Sequence, residues 1–175
     1  MIACSERFPM FPVVHWITRI GRSGVLMHKT LMGCDDRPMT TGGIRAFTFT
    51  PEDGVPPAVA PFAHATAAGP TLYVTGQMPT DVTGTVVGAD VVAQTDQVLG
   101  NLLRVTQLCG GGLADVVSVR AFLLDWDDYE AFNAAYARWF PDRLPSRTCV
   151  GSTGLAVDAL VEIDWVCWRS DGWDG

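Results

Sequence analysis

Leu144-Pro145-Ser146-Arg147-Thr148-Cys149-Val150 sets the architecture of this chain, together with Val161-Glu162-Ile163-Asp164-Trp165 a short distance downstream. Both segments are rich in β-branched and apolar residues, which predicts two strands, with Arg147 at the entrance of the first. An arginine cannot lose its proton to escape burial, and its planar fork of donors matches a carboxylate. Two alternatives are open for its partner. One is a structural ion pair with Glu162 or Asp164, which is usual for a buried charge, and the other is an anionic ligand.

The strand pattern continues outward from these two segments. Along the later strand Val161, Ile163 and Trp165 share one face, which puts Glu162 and Asp164 on the other. Four further strands are predicted by β-branched and apolar runs at residues 44–50, 60–67, 71–79 and 115–125.

Two helices are predicted by apolar residues that recur at three- and four-residue intervals. The first follows Asp90, a residue suited to cap a helix, and ends at Gly110-Gly111-Gly112. The second begins near Asp127 and Asp128 and ends before Pro141, and its aromatic stripe is typical of a core-facing helix. This order predicts an α+β fold in which a mixed six-stranded sheet carries both helices on one face. Because the other face is also apolar, we expect self-association to bury it.

Composition and charge exclude several classes of protein. The chain has 175 residues, enough for one domain, and no apolar run approaches the roughly 20 residues of a membrane span, so we expect a soluble protein. From Met39 onward seven arginines face sixteen acidic residues, which argues against nucleic acid as a partner. The only lysine is Lys29, which argues against Schiff-base chemistry. The five cysteines show no spacing typical of a zinc site or a disulfide framework, so no metal is expected and a reduced, cytoplasmic location is predicted.

Residues 1–38 read differently from the rest of the chain. They mix Pro, Cys, Trp, His and Arg without helical or strand periodicity, and they hold no sustained apolar segment of a secretory signal. We interpret them as a leader that is disordered or not native. Residues 39–175 are predicted to form the single domain, since Met39 would make a natural start.

Six segments carry a resemblance to a known family. They are Ala60-Pro61-Phe62, Val74-Thr75-Gly76-Gln77-Met78-Pro79, Gln94 to Asn101, Asp127 to Tyr136 with Asn133, Pro145-Ser146-Arg147-Thr148-Cys149-Val150 and Val161-Glu162-Ile163. In this order, and with the step from Arg147 to Glu162, they resemble the reactive intermediate deaminase family, also called the YjgF-like or Rid family. The similarity spans roughly residues 44 to 168.

The resemblance implies a chorismate-mutase-like two-layer fold, a homotrimer, and a site in each cleft between neighbouring subunits. It also implies hydrolysis of the imine or enamine of a 2-oxo acid, such as 2-aminoacrylate tautomerised to 2-iminopropanoate, to give the keto acid and ammonia. Members of the family carry no cofactor. The implied partners are therefore a small 2-imino or 2-oxo acid and other copies of the chain.

Catalytic roles follow from the same resemblance. Arg147 would bind the substrate carboxylate, Glu162 would hold and activate the attacking water, and the backbone of Cys149 would lie near the imine nitrogen. The chemistry agrees, because an imine carbon is already electrophilic and one carboxylate can take a proton from water and return it to the departing amine. The Cys149 thiol is not expected to act as a nucleophile, since no histidine partner is evident.

The remaining predicted site residues would line or support the substrate pocket. Thr75 and Gly76 would line it and Asn133 would support it, and a glycine inside a strand also indicates a bulge or a close approach of backbone to a ligand. The family commonly has Gly-Pro-Tyr where this chain has Ala-Pro-Phe, so Phe62 lacks a phenolic hydroxyl. His64, two positions later, is either a structural residue or a compensation for that loss.

Three other functions compete with the imine deaminase. The first is a trimeric protein that binds small carboxylates without turnover, and the second is a deaminase of a pathway-specific enamine of the aminomuconate type. Arg147 and Glu162 together favour an enzyme. The third, a ribonuclease, conflicts with the negative charge of the domain, which would repel phosphate.

Overall fold

The structure is a computed structural model, and it describes residues 40–41 and 43–173. Its strands are β1 Thr40–Thr41, β2 Ile44–Phe47, β3 Ala65–Ala68, β4 Thr71–Gln77, β5 Val116–Leu123, β6 Ser146–Gly151 and β7 Val161–Trp168. Its helices are α1 Val91–Leu108 and α2 Tyr129–Trp139. The predicted leader, residues 1–38, lies outside the described residues and stays a prediction.

All the strands belong to one sheet, in the order β1-β2-β3-β4-β7-β5-β6. β5 and β6 run parallel, and the other neighbouring pairs run antiparallel. α1 lies against β4 and β7, and α2 packs on α1. The predicted two-layer α+β fold, with six strands in a mixed sheet and two helices, is therefore confirmed, and the two-residue β1 extends the sheet at one edge.

The hydrophobic core lies between the sheet and the helices. Trp165 of β7 is buried there against α1, and its indole Nε1 donates a hydrogen bond to Thr106 Oγ1 at 3.0 Å. The ring of Phe140, just after α2, meets the Trp165 ring edge-on with centroids 6.4 Å apart. The aromatic stripe of α2 is thus part of the core, as its helical spacing predicted.

Both helices begin where acidic residues can satisfy free backbone donors. Asp90 caps α1, because its Oδ1 accepts a hydrogen bond from the Ala93 N–H at 2.8 Å. Before α2, Asp125 accepts from the Asp127 N–H at 2.9 Å and opens a short 3₁₀ turn that leads into the helix at Tyr129. The predicted start of α2 is therefore correct. Asp125 caps the 3₁₀ turn, and the N-cap residue of α2, Asp128, makes no side-chain capping hydrogen bond.

Two strand boundaries differ from the prediction by three residues or more. β2 ends three residues early, at Phe47, and β3 begins five residues late, at Ala65. The cause is the ring of His64, whose Nδ1 accepts a hydrogen bond from the Phe49 N–H at 3.0 Å. Because the His64 side chain satisfies the Phe49 N–H, this donor needs no partner in a neighbouring strand, and the pairing of β2 with β3 ends at Phe47 and Ala65.

The face of the sheet opposite the helices exposes large apolar side chains. Ile44, Tyr73 and Trp168 are 51%, 53% and 51% exposed, and the strand register puts them all on this open face. A soluble chain rarely leaves such a patch uncovered. The expectation that self-association covers the open face stays a prediction. None of the helices in the described residues is both long and apolar enough to cross a membrane.

Candidate active site

Arg147 lies in the edge strand β6 and points toward the helix layer. It pairs with Val119 of β5, and Val119 in turn pairs with Trp165 of β7. Residues that pair across neighbouring strands put their side chains on the same face of the sheet. Because Trp165 is buried under the helices, the Arg147 side chain also lies on that side.

Three side chains of α2 hold the guanidinium of Arg147. Its Nη2 donates a hydrogen bond to Asn133 Oδ1 at 2.6 Å, and its central carbon lies 4.6 Å from the ring centroid of Tyr136 and 5.0 Å from that of Phe132. These residues share one face of the helix because they lie three or four positions apart. Burial raises the pKa of the Tyr136 phenol to about 12, so the guanidinium contacts a neutral ring. The cation is therefore positioned entirely by uncharged groups.

The alternative in which Arg147 forms an ion pair with Glu162 or Asp164 is wrong. Asp164 is bound by Arg120 instead, whose Nε donates to Oδ1 at 3.0 Å and whose Nη2 lies 2.9 Å from Oδ2. Within residues 43–173 no carboxylate forms an ion pair with Arg147. Its remaining guanidinium donors can therefore bind a carboxylate that comes from elsewhere.

Glu162 lies on the open face of the sheet. It pairs with Phe122 of β5, three residues from the helix-facing Val119, and an odd step reverses the face. Next to it, the pairing of β4 with β7 shifts register between Val74 and Gln77, so Thr75 and Gly76 form a bulge. A Cβ atom added at Gly76 would collide with Oε1 of Glu162. The predicted bulge is therefore present, and the close approach there is to a predicted catalytic carboxylate.

The Glu162 carboxyl is poorly stabilised in its charged form. Half-burial is the main cause that raises its pKa, and the nearby negative charge of Asp164 adds to the effect. Among the described residues no hydrogen-bond donor reaches the Glu162 carboxylate, whereas Asp164 two positions on is held by Arg120. A carboxyl with a raised pKa is suited to take a proton and return it.

Phe62, His64 and Gly76 line one pocket, together with Val157 from the loop before β7. The predicted residue Thr75 precedes the lining residue Gly76 in β4, and its hydroxyl donates a hydrogen bond to the Ala63 carbonyl at 2.6 Å. These residues fold together because β3 and β4 are adjacent and Phe62 precedes β3. The pocket therefore brings together three of the predicted residues, and the Glu162 carboxylate lies close to one of them, Gly76.

His64 is bound to backbone through both ring nitrogens. Nδ1 accepts from the Phe49 N–H at 3.0 Å, and Nε2 lies 3.1 Å from the Pro56 carbonyl, to which it donates as the neutral tautomer. Burial lowers the pKa of this imidazole, which favours the neutral form. The contact that His64 can offer to a ligand is thus its ring face or carbon edge, and the interpretation as a structural residue gains support.

Cys149 lies two residues from Arg147 in β6, on the same face of the sheet, and is half-buried against the core. Burial raises the pKa of its thiol, and the positive charge of Arg147 offsets this only in part. The thiol is therefore protonated near neutral pH, in agreement with the expectation that it is not a nucleophile. The predicted role of the Cys149 backbone stays a prediction.

The predicted site residues thus fall into two groups, and Arg147 and Glu162 of these groups lie on opposite sides of the sheet. The Arg147 group holds Arg147, Asn133 and Cys149, and the Glu162 group holds Glu162, Phe62, His64, Thr75 and Gly76. Sequence reasoning missed Tyr136 and Phe132 as supports of Arg147, although their spacing from Asn133 on α2 was a usable signal. It also missed Val157, for which the sequence carries no signal. In the part of the chain that the structure describes, no three His, Cys, Asp or Glu side chains cluster as metal ligands do.

The fold defines the class of this protein, which is a YjgF-like α+β protein. The family described as Endoribonuclease L-PSP matches residues 54–168. A protein of Acinetobacter baylyi named 3-aminoacrylate deaminase RutC is 42% identical over 112 residues, which cover 63% of this chain and 89% of that protein.

Two solved structures from Escherichia coli are similar over nearly their whole length. The YjgF gene product superposes with a TM-score of 0.66 at 28% identity, and TdcF with bound serine superposes with a TM-score of 0.66 at 26% identity. Each match covers 71% of this chain and 98% of the other. The chain therefore belongs to the reactive intermediate deaminase family, a family of imine and enamine deaminases that shares the Endoribonuclease L-PSP domain.

Proposed function

We propose that this protein is a hydrolytic deaminase of reactive 2-imino and 2-enamino acids of the 2-aminoacrylate and 2-iminopropanoate type. The products are the 2-keto acid and ammonia. The observation that carries the proposal is Arg147, which is oriented by Asn133 and two aromatic rings and forms no ion pair with any carboxylate in residues 43–173. A half-buried cation positioned by neutral groups is suited to an anionic ligand.

In this scheme Arg147 binds the substrate carboxylate through two parallel hydrogen bonds. This contact fixes the imine carbon, two bonds from the carboxylate oxygens, relative to the rest of the site. Support comes from the related TdcF, which was solved with bound serine, a ligand that carries such a carboxylate. Asn133 keeps the guanidinium in its orientation while the substrate is absent.

Glu162 supplies the proton transfers. With the imine nitrogen protonated, it takes a proton from a water molecule as the water oxygen bonds to the imine carbon, and the C=N double bond becomes a single bond to a neutral amine. The carboxylic acid then returns this proton to the amine nitrogen. The C–N bond breaks as the hydroxyl oxygen forms the C=O bond and gives its proton to the Glu162 carboxylate, and the keto acid and ammonia leave. The raised pKa of Glu162 suits both steps, because the group is a stronger base than an ordinary carboxylate.

We further propose that each site is completed between two chains of a homotrimer. Arg147 and Glu162 lie on opposite sides of the sheet in one chain, so they can act on one substrate only if one of them comes from a neighbouring copy. The exposed apolar side chains of the open face provide a surface for that assembly. We expect a cytoplasmic protein, given the three free cysteines of the described domain.

A second candidate substrate is 3-aminoacrylate, because a relative 42% identical to this chain bears the name 3-aminoacrylate deaminase. This enamine also carries one carboxylate and would tautomerise to an imine before hydrolysis. Arg147 and Glu162 would keep the same roles. The two candidates differ in the position of the nitrogen relative to the carboxylate, which direct assay of both substrates distinguishes.

Activity and site sharing can be tested in one set of assays. Imines are generated in situ by an amino-acid oxidase, and the release of keto acid and ammonia is compared with the uncatalysed rate. Arg147→Lys and Glu162→Gln chains, each inactive alone, are then co-expressed in equal amounts. If each site takes Arg147 from one chain and Glu162 from the next, about a quarter of the sites in the mixed oligomers are intact and activity returns to about that level.

Two results would contradict the proposal. A wild-type protein that binds 2-oxo acids through Arg147 but does not accelerate any imine hydrolysis is a binding protein. Mixed chains that recover no activity, or a monomeric mass by light scattering at micromolar concentration, would exclude the shared site.

A further inference from the structure

A pocket of about 70 Å³ opens beside Gly76, and its walls are mostly apolar. Val59, Phe62 and Val157 are among the apolar residues that line it. The polar residues His64, Gln77 and Thr80 also line the pocket, and both ring nitrogens of His64 are bound to backbone. No arginine among the described residues of this chain lines the pocket. In the proposed trimer the neighbouring chain's Arg147 binds the substrate carboxylate, which leaves a group in the pocket without a basic side chain of its own.

One wall of this pocket is built on strained backbone. Val157 has φ 55° and its neighbour Asp158 has φ 54°, so two consecutive residues that are not glycine adopt the left-handed conformation. For a β-branched residue such as valine this conformation is a rare outlier. The loop is anchored just beyond, where the Leu160 N–H donates to Gln94 Oε1 at 2.8 Å. Backbone strain of this kind clusters at active sites and ligand-binding sites.

We propose that this pocket receives an aliphatic side chain of the substrate, so that the preferred substrates are 2-imino acids with three to five carbons beyond the imine carbon. This inference rests on the proposed deaminase function. Gly76 links the pocket to the proposed catalytic carboxylate, because it lines the pocket and also abuts the Glu162 side chain. A substituent on the carbon that Glu162-activated water attacks therefore extends into the pocket.

The size of the pocket sets the length of the side chain. A water-sized group needs about 10–15 Å³ in the same measure, so the pocket has room for roughly five such groups. Each methylene removed from water is worth about fourfold in binding, so an isobutyl group gains more than tenfold over a methyl group. A second carboxylate on the substituent is disfavoured, since it would be desolvated without a cation.

The test compares substrates and one pair of variants. Imines made by amino-acid oxidases from alanine, norvaline, leucine and glutamate are assayed with the full-length protein. We expect kcat/KM to rise at least tenfold from the alanine imine to the leucine imine, and to be lowest for the glutamate imine. Val157→Asn suits the left-handed backbone but places a polar amide at the pocket, so the leucine-to-alanine ratio of kcat/KM should fall about tenfold.

Val117→Asn is the matched control. Val117 is also a part-exposed valine, but it lies near the start of β5 and does not line the pocket. This control should keep the wild-type ratio, and a Tm of Val157→Asn at or above wild type would show that the fold is intact.

Calorimetry with pyruvate and 4-methyl-2-oxopentanoate measures the same preference without turnover. Imine hydrolysis with no gain from longer side chains, or an unchanged ratio in Val157→Asn, would overturn this inference and leave the proposed function standing. Tighter binding of the longer oxo acid without any imine hydrolysis would instead overturn the proposed function and leave the pocket assignment standing.

Discussion

The Arg147 group and the Glu162 group hold their charges in opposite ways. Arg147 donates a hydrogen bond to Asn133 Oδ1 and has two aromatic rings around it, so its position is fixed within one chain. Glu162 has no hydrogen-bond donor among the described residues, and its surroundings raise its pKa. The proposed carboxylate-binding group is thus positioned in advance, whereas the proposed proton-transfer group lacks stabilising partners.

Glu162→Gln should have the largest effect on activity. The amide keeps the shape of the side chain but cannot accept the proton of water, so we expect turnover to fall by about 10²-fold to 10⁴-fold. Binding of a 2-oxo acid, measured by calorimetry, should remain near wild type. Glu130→Gln, on the exposed side of α2, is the control and should be fully active. Equal losses of binding and turnover would show that Glu162 is mainly a binding residue.

Arg147→Lys should reduce kcat/KM by at least ~100-fold, although the charge is kept. Lysine offers a point charge on a flexible stem, so the parallel hydrogen bonds that orient the imine carbon are lost. Keto-acid release and oxo-acid affinity should both decline, in contrast to Glu162→Gln. Arg138→Lys, which changes an exposed arginine paired with Asp96, serves as the control. Full activity of Arg147→Lys would remove the basis for a carboxylate site.

Asn133→Ala should have a smaller effect, about tenfold in kcat/KM. The variant removes the hydrogen bond to Arg147 Nη2 but keeps both aromatic rings, so the guanidinium stays near its position with more freedom. We expect the loss mainly in KM, because the proton transfers of Glu162 do not involve this group. A loss confined to kcat would indicate that Asn133 contacts the reacting atoms instead.

The smallest predicted effect is a gain in stability by Glu162→Gln. Since the folded state raises the pKa of Glu162, it binds protons more readily than the unfolded chain, and the stability of wild type falls as pH rises between the two pKa values. The neutral amide avoids this loss, so Tm at pH 7 should increase by a few degrees, about 2–4 °C. The difference between variant and wild type should disappear below about pH 4. An unchanged Tm difference across this pH range would show that burial of the charge costs little.

The sequence predicted the elements of the fold better than it predicted their contacts. The alternation of β7 correctly separated Val161, Ile163 and Trp165 from Glu162, because a strand has a strict period of two. The face of Arg147 was not predictable, since it depends on the parallel register of β5 and β6, which no local signal in the sequence specifies.

The ion pair that was one alternative for Arg147 is not formed, for a related reason. Asp164 lies on the same face as Glu162. It forms its ion pair with Arg120, because Arg120 and Asp164 are direct partners across β5 and β7. In the sequence these residues are 44 positions apart. Non-local pairing of this kind decides which charges meet, and residue type alone predicts only that each buried charge has some partner.

His64 also determines how the protein responds to acid. Its imidazole substitutes for a peptide group, because it accepts from one chain segment and donates to another, as a strand residue does. A protonated ring donates from both nitrogens, so the Phe49 N–H would lose its acceptor. Since burial lowers the pKa of His64, the unfolded chain binds this proton more readily, and stability should fall as pH drops below about 6.5. The end of β2 and the wall of the pocket beside Gly76 would loosen together, which makes one residue an acid-sensitive link between the fold and the proposed site.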